Sequence, residues 1–248
     1  RRTKAEVLDE LPEKTELIVP VELSEEEMAI YENIRTRTLS GLQSEKINPI
    51  EALMALTKLR QAACSPELVD KHLTIPSSKI RVFLELVSEL KENKHRALVF
   101  SQFTSFLALV RQALDKAGIE YLYLDGSVPA AQRKKLVETF QNGDMPLFLI
   151  SLKAGGTGLN LTAADYVIHL DPWWNPAVED QASDRVYRIG QTRPVTIYRL
   201  IASNTIEEKI VTLHQSKKSL ADSLLDGSNM AHKLTKEEML ELLRGGIQ

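Results

Sequence analysis

Apolar and polar residues change their spacing near residue 77, and that change divides the chain. Before it the pattern is helical. Ser24 with Glu27 forms a capping box, the signature of a helix start, and helical spacing runs from there to about Leu39. Gly41 and the polar stretch to Asn48 interrupt it, and a second helix from about Pro49 carries Leu53, Leu56 and Leu59 toward Ala63. After Ser77, helical windows alternate with short runs that are apolar at successive positions: Ala97–Ser101, Tyr121–Leu124, Leu147–Ser151, Tyr166–Leu170 and Val195–Ile201. Strands apolar on both faces are buried on both faces, as in a parallel sheet covered by helices. The intervening helices are expected over roughly 79–92, 103–117, 129–141 and 177–189, which makes this a doubly wound α/β domain. Thr205 with Glu208 opens a further helix to about Leu225, ended by Gly227, and Thr235 with Glu238 caps a short last one.

Composition narrows the class without naming it. The 248 residues are 43% hydrophobic and 26% charged, enough for a sizeable core, and no apolar run approaches a membrane span. A formal net charge of -3 excludes a protein that coats nucleic acid by bulk positive charge, so phosphate binding has to be local. The single cysteine, Cys64, excludes an internal disulfide and fits a reducing compartment. His72, His95, His169, His214 and His232 are too scattered for a structural zinc site. The chain starts at Arg1 and reads as a fragment of something longer.

Candidate chemistry lies where strands run into loops, because parallel strands deliver their ends to one edge of the sheet. The first runs into Ser101-Gln102-Phe103, the second into Asp125-Gly126-Ser127, the third into Lys153-Ala154-Gly155-Gly156-Thr157-Gly158-Leu159-Asn160, and the fourth into Asp171-Pro172-Trp173-Trp174-Asn175-Pro176. In the third loop, glycines let backbone N–H groups converge on an anion and Lys153 adds a full charge; alone, such a loop is equally a tight turn. A dinucleotide site fails on two counts. Leu161 stands where the third glycine is needed, and no helix fits before the next strand. Further on, Gln181, Arg185 and Arg188 fall at i, i+4 and i+7, one stripe of a helix that presents two guanidinium groups, while Val178, Ala182 and Ile189 face the sheet. A salt-bridged face with Glu179 and Asp184 is the plainer alternative.

The run LISLKAGGTGLNLTAADYVIHLDPWWNP, followed by QASDRVYRIGQ, resembles motifs V and VI of the superfamily-two helicases in their SWI/SNF form. LVFSQF resembles motif IV, and YLYLDGS with Gln132-Arg133 the conserved segment beside it. RRTKAEVLDELPEKTE is similar to the stretch joining the two motor lobes, LRQAACSP to the helical-insert signature, and TIEEKIVTLHQSKKSLADSLL to the brace helix. Ser65 departs from the pattern, which often has histidine before Pro66.

The resemblance implies a RecA-like C-terminal lobe: a parallel sheet flanked by helices, with an interlobe linker over 1–20, a helical insert over 21–75, the lobe proper over 76–204, and a brace helix and tail over 205–248. It implies that Arg185 and Arg188 reach the γ-phosphate of ATP with Gln181 orienting them, and that Gly156, Gly158, Asn160 and Asp184 line the nucleotide. Double-stranded DNA is expected at Ser101, Gln102, Gly126, Lys153, Ala154, Gly155, Thr157, Trp174 and Asn175, with Trp173 in the core. No G-x-x-x-x-G-K-[ST] loop is present, so ATP and Mg²⁺ are expected mainly on an N-terminal lobe of the full-length chain, without which this lobe hydrolyses nothing. A monomer inside the cell, cytoplasmic if bacterial and nuclear if eukaryotic, with no membrane partner, completes the expectation. An RNA- or duplex-unwinding helicase and a motor-dead interaction module are the rivals.

Overall fold

The structure, a computed structural model, describes residues 11–41, 49–154, 159–223 and Leu242. Its elements follow the hydrophobic pattern closely. In chain order they are β1 (Lys14–Val21), α1 (Glu25–Gly41), α2 (Pro49–Cys64), a short 3₁₀ turn (Pro66–Leu68), α3 (Ser78–Glu92), β2 (Ala97–Ser101), α4 (Thr104–Lys116), β3 (Tyr121–Leu124), α5 (Ala130–Asn142), β4 (Leu147–Ser151), β5 (Tyr166–His169), α6 (Pro176–Ser183), β6 (Val195–Ala202) and α7 (Ile206–Ser223). β1 falls inside the segment expected to be a linker. The expected end of the helix opened by Thr205, near Leu225, and the cap of the short helix at Thr235 lie outside the described residues.

The chain forms two compact units. The first takes in the described residues of Arg1–Val19, Leu84–Leu170 and Ala177–Arg199. It is built on the sheet β1-β6-β5-β2-β4-β3, whose paired strands run parallel. The middle strands β2 and β4 are buried at all five positions, which is why they read as unbroken apolar runs. Ser101 lies beside Ser151, and Leu124 beside Ile150, so the loops after β2, β3 and β4 leave from the same edge.

The second unit takes in the described residues of Pro20–Phe83, Asp171–Pro176 and Leu200–Gln248. Its apolar centre gathers Tyr31, Ala52, Leu56, Leu59, Ala63, Ile206 and Ile210. Leu53, expected to face this core, is 45% exposed; Ala52 takes the position instead, because 52, 56, 59 and 63 complete the buried stripe of α2. The capping box at α1 is formed as expected, with Ser24 N–H donating to Glu27 Oε2 (2.8 Å) and Glu27 N–H to Ser24 Oγ (3.2 Å). Glu27 also accepts from Ser78 N–H at 2.9 Å, so one buried carboxylate caps both α1 and α3. The start of α7 is capped one residue out of register from expectation. Thr205 Oγ1 accepts from Glu207 N–H (3.1 Å), and Glu208 Oε2 accepts from Asn204 N–H (2.9 Å), with Asn204 in the left-handed region at φ 58.

Two buried ion pairs hold the second unit together. Lys79 Nζ lies 2.6 Å from Glu207 Oε2, both side chains fully enclosed, and Glu207 also accepts from Ala202 N–H at 2.8 Å. Burial opposes the charge on Lys79, but the Glu207 carboxylate more than offsets it and holds the ammonium above its ordinary range. Arg60 Nη2 lies 3.5 Å from Asp171 Oδ2 and donates to Pro172 O. Its guanidinium centre sits 4.4 Å from the Trp174 ring and 5.6 Å from that of Trp173.

Candidate functional site

The turn that follows α6 departs most from the sequence expectation. Helix was expected to 189, but α6 stops at Ser183, and residues 184–190 form a succession of turns. The cause is tertiary. Arg185 O, which a continuing helix would use internally, accepts instead from Leu161 N–H at 3.1 Å. Gln191, 4% exposed, extends its amide to Thr162 O (3.2 Å), Ala164 O (2.8 Å) and Val186 O (3.3 Å), and its own oxygen accepts from Thr192 and Arg193 N–H, both at 3.0 Å. Backbone groups captured by a neighbouring loop are lost to the helix.

The Gln181, Arg185, Arg188 stripe is therefore corrected: Gln181 is on the helix and the two arginines are on the turns after it. Ile189 does not dock on the sheet but is 73% exposed, and Val186 is buried in its place. The two arginines also differ in kind. Arg188 is exposed, as is Gln181. Arg185 is only 6% exposed, yet its Nε and Nη1 have no hydrogen-bond partner among the described residues. Burial pulls its guanidinium below the usual range, and no neighbouring carboxylate offsets the pull. Of the two acids in the salt-bridged alternative, Glu179 pairs with Arg199 at 2.9 Å. Leaving buried donors unmet costs about 1–3 kcal/mol each, more for a charged group.

The loops at the sheet edge are assembled in part. Ser101 is fully buried, and its hydroxyl accepts from Phe103 N–H at 3.0 Å, so it shapes the loop that presents the half-buried Gln102. Gly126 is exposed with open space where a side chain would be, on a turn braced by Asp125 accepting from Ser127 N–H (2.9 Å). Lys153 and Asn160 are exposed, Ala154 is buried and Asp184 is half-buried. Gly155, Gly156, Thr157 and Gly158 lie outside the described residues.

The fourth loop follows β5, whose His169 lies beside Phe100 of β2, so it leaves from this edge as expected; Asp171–Pro176 itself groups with the second unit. Trp173 is half-buried rather than core, and Trp174 packs on the apolar cluster of that unit; Asn175 is half-buried beside them. Asp171 pairs with Arg60. Sequence reasoning missed Arg60, Gln191 and Arg199. Arg60 alone left a signal: a charged residue close to the buried stripe of an amphipathic helix. No group of three His, Cys, Asp or Glu side chains among the described residues could hold a metal, and none of the helices searched is long and apolar enough to cross a membrane.

His169 lies beneath α6, fully buried, stacked on Phe100 with ring centres 5.6 Å apart, its Nε2 3.1 Å from Ser183 Oγ and its Nδ1 without a partner among the described residues. Burial drags the imidazole from 6.5 to about 4. The unfolded chain takes up this proton near 6.5 and the folded chain only near 4. Stability is therefore complete above the first value and declines as pH falls toward the second, by about 3 kcal/mol in all. Denaturant unfolding measured across that window checks this, with His169→Asn expected to flatten the slope.

Comparison with known proteins places this geometry. The family model described as the helicase conserved C-terminal domain matches residues 78–190, and that described as the SNF2-related domain matches residues 1–68. An uncharacterized ATP-dependent helicase, MG018 of Mycoplasma genitalium, is 39% identical over 245 residues, covering 98% of this chain and 24% of that protein. The human SWI/SNF-related matrix-associated actin-dependent regulator of chromatin subfamily A member 1 is 36% identical over 264 residues, covering 99% of this chain and 25% of its own length. Among solved structures, the Sulfolobus solfataricus SWI2/SNF2 ATPase core in complex with dsDNA superposes with a TM-score of 0.78 at 31% identity, covering 99% of this chain and 53% of that one. The chain spans about a quarter of the length of the curated relatives it matches.

Proposed function

Because the chain belongs to the C-terminal helicase lobes of the SWI/SNF-type, superfamily-two ATPases, we propose that it is the second motor lobe of an ATP-driven double-stranded-DNA translocase. The observation that carries this reading is Arg185: a guanidinium 6% exposed, with two nitrogens unpartnered, on a turn tied to the end of the glycine loop through Leu161. Such a group needs an anion, and the γ-phosphate of ATP held on an N-terminal lobe supplies one. Arg188, exposed three residues on, adds a second cation, and together they stabilise charge on the transferring phosphoryl group. Gln181 and Asp184 flank the same turn, and Gly156, Gly158 and Asn160 line the nucleotide from the loop. Mg²⁺ is held by the N-terminal lobe, and this lobe by itself hydrolyses nothing.

Residues 1–20 then join the two lobes, 21–75 form the helical insert, 76–204 the lobe proper, and 205–248 the brace helix and tail. DNA backbone is gripped by Ser101, Gln102, Gly126, Lys153, Ala154, Gly155 and Thr157, and Trp174 and Asn175 are DNA contacts as well. Because such contacts go to phosphate, binding is independent of sequence and steep in salt.

The test uses the full-length protein. Duplex DNA of any sequence stimulates ATP hydrolysis, and the protein displaces a triplex-forming strand without separating the duplex. Lys153→Ala weakens binding equally across sequences and lowers the salt slope by about 1. Strand separation, or stimulation by RNA alone, would overturn the assignment in favour of an unwinding helicase.

A further inference from the structure

Glu179, in the first turn of α6, is a carboxylate only 1% exposed, and a carboxylate so enclosed needs a cation. β6 provides it: Arg199 Nε donates to Glu179 Oε2 at 2.9 Å. The same guanidinium donates through Nη1 to Glu16 Oε2 on β1 at 2.8 Å and lies 3.8 Å from Asp180 Oδ1. Lys14 Nζ, 2.6 Å from Glu16 Oε1, extends the network. Although burial opposes it, hydrogen bonds from Lys14 and Arg199 hold the Glu16 carboxyl well below its ordinary range. The far end of α6 is tied separately, Ser183 Oγ to His169 Nε2 at 3.1 Å, and Arg185 follows two residues later. All of these groups lie in the first unit.

We infer that Arg199 is a positioning residue that registers α6, and the arginine turn it leads into, against strand β1, so that the seating of β1 sets where Arg185 points. This rests on the proposed role of Arg185. α6 has eight residues, about two turns, too few to hold its own orientation. Glu179 ties its first turn to β6, and Ser183 ties its last residue to β5. Removing Arg199 takes from the buried Glu179 carboxylate the guanidinium that bonds it, and the helix shifts in response, carrying the turn at 184–188 with it. A planar guanidinium fork can bond two carboxylates on different elements in one fixed geometry, whereas an ammonium holds one at a time. β1 is an edge strand of the sheet, with Leu17 and Ile18 about half exposed, so its pairing is open to disturbance.

The test compares Arg199→Met, Arg199→Lys and Glu16→Gln in the full-length protein. The readouts are kcat and KM for ATP at saturating duplex DNA, the Kd for DNA, and thermal unfolding. Arg199→Met lowers kcat by between about tenfold and a hundredfold, the loss expected for a misplaced catalytic group. KM and the DNA Kd stay within about twofold, since neither ground-state site is touched. Arg199→Lys recovers part of the loss, and Glu16→Gln gives a smaller fall in kcat with the same split. A folded Arg199→Met enzyme with unchanged kcat, or a kcat loss that only follows the unfolded fraction, overturns the inference. An unaltered Glu16→Gln enzyme overturns the link to β1. Should Arg199→Met not fold, the lysine and glutamine variants decide the matter by the same criteria. Arg185→Ala is measured beside them. Normal hydrolysis there sinks the role of Arg185 itself, while an inactive Arg185→Ala enzyme beside a normal Arg199→Met one sinks this inference alone.

Discussion

Arg185→Ala in the full-length protein is expected to cut DNA-stimulated ATP hydrolysis by roughly 10³–10⁵, the range arginine fingers contribute to phosphoryl transfer. DNA affinity should change by no more than about twofold, because the side chain is enclosed. The stability expectation is as pointed as the catalytic one. Truncating a residue that is 6% exposed ordinarily destabilises, but here it removes a buried charge whose Nε and Nη1 bond nothing. Relief of that desolvation, about 1–3 kcal/mol, offsets the packing lost, so thermal unfolding should stay within a few degrees of the parent. Arg188→Ala, on an exposed side chain, should also abolish stimulated hydrolysis while DNA binding persists. Loss of hydrolysis and DNA binding together, or collapse of the fold on removing Arg185, would make these arginines structural.

Lys79→Met is the second large effect, and it falls on stability. Lys79 and Glu207 are both fully enclosed at 2.6 Å, so deleting the cation strands a carboxylate in the interior. Breaking such a pair costs about 3–5 kcal/mol, a large share of the 5–15 kcal/mol that typically separates folded from unfolded. Following Lys79→Met with Glu207→Gln should restore most of it, since the amide oxygen can still accept from Ala202 N–H and no unpaired charge remains. Denaturant unfolding of the single and double variants measures the difference. Equal stability of the single variant and the parent would mean that Glu207 finds water or a proton without cost.

Much of the fold and only part of the site was legible in the residues. Strands β2 and β4 fall where the apolar runs fall, because a strand covered on both faces has no polar positions to blur its ends. The capping box at Ser24 forms as written, since its bonds are local. α6 was misjudged because its last turn is decided by Gln191 and Leu161, residues outside any window that helical spacing surveys. Trp173 was misplaced for a similar reason: whether an indole enters the core depends on Arg60, 113 positions earlier in the chain.

The sequence by itself determined the parallel α/β architecture, the family motifs and the presence of two arginines beside a glycine loop, all consequences of spacing and residue type. Only the tertiary structure decided that those arginines are unlike, one enclosed and unpaired and the other in solvent, and that Arg199, Lys79 and Arg60 complete buried pairs. A charge's partner is chosen by distance in space, where 183 residues separate Arg199 from Glu16 and 2.8 Å separate their atoms.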